Sequence, residues 1–486
     1  MKVKFLDLKF RHEYFPFLLP LFYIMHYYFV NYPFFPIKLA INLLGQYLIA
    51  VAVLIFLFLP LLKSWRKSSL FVFSIICLQF FFIFFYQFAS GKFGITVLGK
   101  DWFYVVVIVL MWTWLFFRLK KHAGNLSKPV AFFNVLMVAW ILVELIIFIT
   151  FKQYLNKELQ KKVTIKECST CKKPDIYVLI LDEYAGQQAL IDKFQFDNAD
   201  FLSYLKGKDF HIVSDSKSNY NVTLFSMASM LSMDKIRISN FSKPSTKDFI
   251  LAGLKLNQSD VGQFFQRSGY EIYNLSLFSF LNIPSRFKHS YARNFAEELK
   301  SRTLTGLIQN HYQTVFFPKS TREDSVNLDI NYNNALINFL LHFPLTSDKP
   351  KFVYAHFLMP HFPHLLTEKG MRIDPKFQYT QATYLGYLKY CNSRIIPIID
   401  NILSSSATKP IILLMSDHGF REFSIAPDPK YYFINLNAVY LPDKKYDAWY
   451  DGMSNVNQFR VLLNEEFGQR LPLLKDTTIR LMGSRF

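Results

Sequence analysis

The feature that most constrains this chain is a series of apolar runs in its first 150 residues. Runs near 15–33, 37–62, 70–89, 102–119 and 129–150 carry almost no charge. A helix needs about 20 mostly apolar residues to cross the hydrocarbon of a bilayer. Lipid offers no partner to an unpaired backbone group, so such segments must be helical. Each run is long enough for one span, although Pro16, Pro20, Pro33 and Pro36 make the first irregular. The expectation is an N-terminal α-helical transmembrane bundle of about five spans over residues 1–150. No cleaved leader is expected, because the first run lacks a small-residue cleavage site and a second follows it.

The charge pattern gives this bundle a direction. Formal net charge is +19, and more than half of it falls in the first 160 residues. Lys63, Arg66 and Lys67 form one basic loop, and Arg118, Lys120, Lys121 and Lys128 another. The loops near Lys38 and between Lys92 and Asp101 are poorer in charge. Basic loops stay in the cytoplasm, and so does a tail carrying Lys2, Lys4, Lys9 and Arg11. An odd number of spans then delivers residue 151 onward to the opposite side. Membrane topology accounts for the basic excess, and a nucleic-acid partner is not expected. Glu144 lies inside the fifth run, as a functional carboxylate, as a neutral group packed between helices, or as one close enough to the outer interface to reach water.

Residues 151–174 read as a polar linker containing Cys168 and Cys171. With no second cysteine pair they fall short of a zinc site. They are either a short-loop disulfide, permitted outside the cytoplasm, or two thiols. From residue 175 to 486, strand-like runs alternate with helical patterns. The strands are expected at 175–182, 211–214, 270–275, 352–357, 411–417 and 438–441. The helices are expected at 187–206, 223–233, 258–268, 381–402 and 456–467. Such alternation predicts an α/β domain with a largely parallel central sheet.

Three of these strands lead into ionisable groups. The first ends at Asp182-Glu183, another at His356 with His361 and His364 beyond, and a third at Asp417-His418-Gly419. Open parallel sheets form sites at the carboxyl ends of their strands, where carboxylates and imidazoles can converge on a cation. Thr223 stands where an extended segment becomes a helix. It is either the N-cap or a nucleophile aided by the helix dipole. Arg286, Lys288, His289 and Arg293 form a basic cluster that reads as a solvated loop or a headgroup contact.

Taken together, these residues resemble the alkaline phosphatase superfamily, specifically its sulfatase-like branch, over most of residues 175–467. Asn221-x-Thr223-x-x-Ser226-x-x-Ser229 looks like the nucleophile helix of membrane-bound phosphoethanolamine transferases and lipoteichoic acid synthases. Pro360-His361-x-Pro363 looks like their substrate-site histidine segment, and Ser416-Asp417-His418-Gly419 like their metal signature. Asn435–Pro442 and Val456–Arg460 also resemble bacterial members. The resemblance implies one divalent metal (zinc, manganese or magnesium) on Asp182, Thr223, Asp417 and His418. It implies Thr223 as the catalytic nucleophile, and His361 with His356 as substrate-binding residues. Asp182 departs from the Glu common in the transferases. Glu183 is either a further ligand or a side chain turned away from the site.

Sulfatases build formylglycine from a Cys or Ser within Cys/Ser-x-Pro-x-Arg, and the sequence after Thr223 has neither that Pro nor that Arg. The resemblance therefore implies phosphoryl transfer through a phosphothreonine, of phosphoethanolamine or phosphoglycerol type. The donor would be a membrane lipid and the acceptor an envelope lipid or glycan. The chain would sit in a bacterial inner (plasma) membrane with residues 175–486 on the periplasmic side. A hydrolase using water as acceptor and an inactive envelope-binding protein remain as alternatives.

Overall fold

The computed structural model describes residues 12–93, 102–168, 170–291, 295–309, 318–342, 349–406, 408–421 and 428–482. The chain forms two compact units. The first comprises Met1–Asn156 with Arg293–Thr321, and the second Lys157–Ala292 with Arg322–Phe486.

The first unit is built on helices Phe15–Val30, Ile37–Leu62, Trp65–Phe93, Trp102–Lys121 and Ser127–Leu159. Among the described residues, three stretches are long and apolar enough to cross a membrane: Ile37–Leu62, Trp65–Phe84 and Ser127–Leu159. Phe15–Val30 is apolar but shorter. Ile41, Ile49, Phe56 and Ile146 each leave more than half of their surface uncovered. Large exposed apolar side chains along helices of this length suit a membrane. Inside, aromatic rings fill the contacts, with Tyr23 stacked on Phe80 at 4.1 Å and Phe15 edge-on to Phe73 at 4.9 Å. Glu144 is not solitary, because its Oε1 lies 3.0 Å from His26 Nδ1. The last helix runs through Leu159, so the first nine residues of the expected linker are helical. Beyond it Cys168 and Cys171 are joined as a disulfide.

Residues 295–309 were expected in the α/β domain but cluster with the helical unit. Leu299 is fully buried in its core alongside Phe15 and Phe80. Thr305 and Gln79 exchange hydrogen bonds of 2.7 and 3.3 Å. No local pattern marks this stretch as different, since a single Leu and Thr acquire partners only from distant helices.

The second unit holds a six-stranded sheet. Its strands are β1 (Ile176–Leu181), β2 (His211–Ile212), β3 (Glu271–Leu275), β4 (Lys351–Phe357), β5 (Ile411–Ser416) and β6 (Asn437–Tyr440). They lie in the order β2-β6-β5-β1-β4-β3. The four strands β3, β4, β1 and β5 are parallel, and β6 runs antiparallel to both of its neighbours, β5 and β2. Alternate residues point to opposite faces of a strand. Accordingly Tyr177, Leu179 and Leu181 enter one core, and Ile176, Val178 and Ile180 the other. Both faces are covered, which is why β1 and β5 read as unbroken apolar runs.

Two helical expectations change. The stretch 187–206 is two helices, Gln187–Phe194 and Ala199–Gly207, because Gln195 turns left-handed at φ 51° and ends the first. Thr246–Asn257 and Pro318–His342 are additional helices. The former begins with a Ser245/Asp248 capping box, a legible start signal. The latter carries its buried Leu336, Ile337 and Leu340 among asparagines that favour helices little.

Helix Asn455–Phe467 braces the helix that begins at Thr223. Arg460 is nearly buried, and its Nε and Nη2 donate to Met233 O at 2.9 and 2.6 Å, closing the carbonyl end of that helix. Arg460→Met keeps bulk but strands the buried Met233 carbonyl, at a cost of about 1–3 kcal/mol. The thermal midpoint of the detergent-solubilised protein should fall accordingly, and an unchanged midpoint would remove this role.

Candidate metal centre

In the parallel register Leu181 of β1 pairs with Ser416 of β5. The next residue on each strand is an aspartate, so the topology sets Asp182 beside Asp417. His418 follows at once, and single ligand atoms of Asp182, Asp417 and His418 all lie within 4.8 Å of one another, with all three residues buried. His418 Nε2 is 3.2 Å from Asp417 Oδ2 and 3.9 Å from Asp182 Oδ1.

The backbone at this turn is tightly held. Asp417 Oδ1 accepts the backbone N–H groups of Glu183 (3.0 Å) and His418 (2.8 Å). Ser226 Oγ donates to Asp417 O at 2.5 Å, and Asn455 and Asn435 donate to Ser416 O. A Cβ on Gly419 would lie 2.5 Å from the Ile434 carbonyl oxygen, so this position of the Asp-His-Gly turn has no room for a side chain. His418 Nδ1 lies 2.8 Å from Gly419 O. A carbonyl can only accept, so Nδ1 carries the hydrogen and Nε2 turns its lone pair inward.

Thr223 is not the helix cap. Val222 occupies that position, no side chain caps the helix, and Thr223 is its first helical residue. Its Oγ1 instead reaches 3.3 Å from His418 Nε2. The extended segment before it is pinned from the far end of the chain. Asn221 pairs its side-chain amide with both backbone groups of Leu481 at 3.1 and 2.8 Å.

Burial and then the charge of Asp417 push Asp182 well above the ordinary carboxylate range. Burial acts on Asp417 in the same sense, but His418, His356 and the Glu183 N–H bring it below its usual value. Burial lowers His418 to about 4. Asp182 Oδ1 and Asp417 Oδ2 have no hydrogen-bond partner within the described residues. Two buried carboxylates with open oxygens, an imidazole lone pair and a hydroxyl make a donor set that fits a divalent cation, whose charge relieves the repulsion between the aspartates.

The histidines separate into three environments. His356 lies inside β4, not beyond its end, fully buried with Nε2 3.5 Å from Asp182 Oδ2. His361 sits beside Tyr291, whose hydroxyl is 3.2 Å from its Nδ1, and its Nε2 is 3.8 Å from Glu183 Oε2. His364 is bound to Thr383 Oγ1 at 3.0 Å and lies tilted against the Tyr384 ring, as a structural contact. Glu183 is turned inward rather than away. It falls past the end of β1 at φ 62° and is fully buried, so the alternation of strand residues does not govern it. Its carboxylate joins Arg421 and His361 instead of the aspartate cluster. Arg421 and Tyr291 had no sequence expectation. A cation two residues after Asp-His-Gly was the available signal for Arg421, while Tyr291 reaches the site only through a long loop. Arg286 lies over the Phe339 ring at 4.7 Å, Arg293 falls outside the described residues, and His289 is buried.

The family model described as "Sulfatase" matches residues 174–461, more than half of the chain. The chain belongs to the sulfatase family, a family of enzymes, and the matched residues take in most of its second unit. Among solved structures, the zinc complex of the C-terminal periplasmic domain of EptC from Escherichia coli aligns at 11% identity. It covers 66% of this chain and 92% of that one, with a TM-score of 0.39. The soluble domain of lipooligosaccharide phosphoethanolamine transferase A from Neisseria meningitidis aligns at 14% identity, over 61% and 89%, with a TM-score of 0.36. The EptC periplasmic domain from Campylobacter jejuni aligns at 15%, over 63% and 92%, with a TM-score of 0.35. No curated protein matches the sequence.

A bound cation links metal affinity to stability. The purified protein should carry a divalent ion, and chelation should lower its thermal midpoint. Asp417→Ala should lower the bound-metal stoichiometry and lose the response to chelator. Full stoichiometry in that variant would exclude this site.

Proposed function

We propose that this chain is a membrane-anchored phosphotransferase that moves a phosphate-linked headgroup from a lipid donor to an envelope lipid or glycan by way of Thr223. The observation that carries this reading is the Thr223 hydroxyl. It opens a helix without capping it and turns instead to His418, 3.3 Å away.

A divalent cation held by Asp182, Asp417, His418 and Thr223 would supply Lewis acidity and lower the pKa of the Thr223 hydroxyl. In the first half-reaction the bond from Thr223 Oγ to phosphorus forms and the bond from phosphorus to the lipid oxygen breaks. That oxygen takes up the proton which the Thr223 hydroxyl gives up. His361 is suited to relay it. Its Nδ1 is held by the Phe362 carbonyl, its Nε2 faces Arg421 and Glu183, and burial followed by the Arg421 charge keeps the ring neutral. In the second half-reaction an acceptor alcohol reverses the sequence and frees Thr223. The dipole at the start of helix Thr223–Ser232 favours the developing negative charge. The sulfatase family match favours one second reading, in which water is the acceptor. The partition of product between added alcohol and water separates the two.

Thr223→Ala should lower turnover by a factor on the order of 10³ or more in a protein that stays folded, because no helix cap is lost. Thr223→Ser keeps a hydroxyl and should retain part of the activity. Mass spectrometry of protein quenched with a phospholipid donor should find the adduct on the peptide containing residue 223. Wild-type turnover by a folded Thr223→Ala protein would withdraw the mechanism.

We place the N-terminus in the cytoplasm and residues 160–486 outside it. The alternation of basic loops supports this, as does the Cys168–Cys171 disulfide, a bond of oxidising compartments. Reporter fusions after Lys128 and after Lys173 should report opposite sides. The same side for both would overturn the topology.

A further inference from the structure

Two charged side chains of the site lie outside the aspartate cluster, and they are held against each other. Asp182 and Glu183 are adjacent in sequence, yet the left-handed turn at Glu183 sends their carboxylates apart. Glu183 Oε1 accepts the Arg421 backbone N–H at 3.0 Å and lies 3.8 Å from its Nε. Glu183 is fully buried, while the Arg421 side chain is 21% exposed. The guanidinium extends from there in two directions. Nη1 donates to the carbonyl of Asn221, two residues before Thr223. Nη2 approaches His361 Nε2 at 3.5 Å. Arg421 thus spans the gap between the nucleophile segment and the substrate-site histidine.

From this arrangement, and resting on the phosphotransfer reading above, we propose that Glu183 and Arg421 form a charge-balanced pair selecting a singly charged phosphodiester over a doubly charged phosphomonoester. A tetrahedral phosphate within reach of Thr223 and His361 lies against Arg421. A guanidinium alone would favour the more highly charged anion. Buried beside it, Glu183 offsets that charge and repels the second negative charge of a monoester, which in a partly desolvated site is a substantial effect. A diester has no second charge to repel. Arg421 is then a substrate-contacting residue, and Glu183 acts on substrate through the field it sets and through its hold on Arg421. The predicted substrate class is a phosphodiester such as a phospholipid headgroup linkage.

The experiment compares bis-p-nitrophenyl phosphate, a diester, with p-nitrophenyl phosphate, a monoester, on the full-length protein in detergent. The wild type should favour the diester in kcat/KM. Glu183→Gln should move the ratio toward the monoester by about tenfold or more, mainly through a lower KM for the monoester. Arg421→Gln leaves Glu183 uncompensated and should move the ratio the opposite way. It answers the question alone if Glu183→Gln does not fold. A binding measurement needs no turnover. Inorganic phosphate, at a pH where it is doubly charged, should raise the thermal midpoint of Glu183→Gln more than that of wild type. Diethyl phosphate should affect both alike. Parallel loss on both substrates, with the ratio and phosphate response unchanged, would overturn the proposal. A wild-type preference for monoester that still depends on Thr223 would overturn this inference alone. Undiminished activity in Thr223→Ala would instead overturn the phosphothreonine reading.

Discussion

The placement of two buried carboxylates side by side is the constraint on which the rest of this domain turns. Asp182 and Asp417 end neighbouring parallel strands whose register leaves them no choice but to meet. Burying like charges together is costly unless a cation or hydrogen bonds compensate. The surrounding structure can be understood as that compensation. One oxygen of Asp417 takes two backbone N–H groups, and the open oxygens of both aspartates converge with His418 Nε2. The fit of this set to a divalent ion follows from charge and donor type together.

Around that pair the fold works by backbone anchoring more than by apolar contact. Ser416 and Asp417 are fixed through Ser226, Asn435 and Asn455. The Thr223 segment is fixed through Asn221 to Leu481, and its helix is closed by Arg460. The proposed mechanism requires the Thr223 hydroxyl to be held close to its line of approach. A hydrogen-bonded frame of short polar side chains supplies such definition better than packing of flexible apolar ones. The asparagines of the stretches 435–442 and 455–460 are part of this frame, which gives a physical reason for polar residues at buried positions.

Much of the architecture was readable from residue pattern. Strand positions followed from apolar runs of β-branched residues, and the helical N-terminal region from runs too long and too uncharged for a soluble core. Misreadings arose where a local pattern competes with a distant partner. Glu183 lies past the strand end at Leu181, and a left-handed turn reverses the chain there, so strand alternation does not set its direction. For Thr223 residue preference left a cap and a nucleophile both open, and the hydroxyl is engaged by a histidine 195 residues away. Residues 295–309 carry no signal of their own, and their burial depends on helices near the opposite end of the chain.

The sequence by itself determined the division into a lipid-compatible helical part and an α/β part. It also determined the types of donor available at strand ends, because periodicity, charge density and residue chemistry are local properties. Only the tertiary structure decided which donors converge. The β1–β5 register joined Asp182 to Asp417, the tail at Leu481 set the approach of Thr223, and the turn at Glu183 paired it with Arg421. Such convergence depends on contacts between residues hundreds of positions apart. Their geometry is set by how the whole sheet and its covering helices pack, and no window of sequence contains that information.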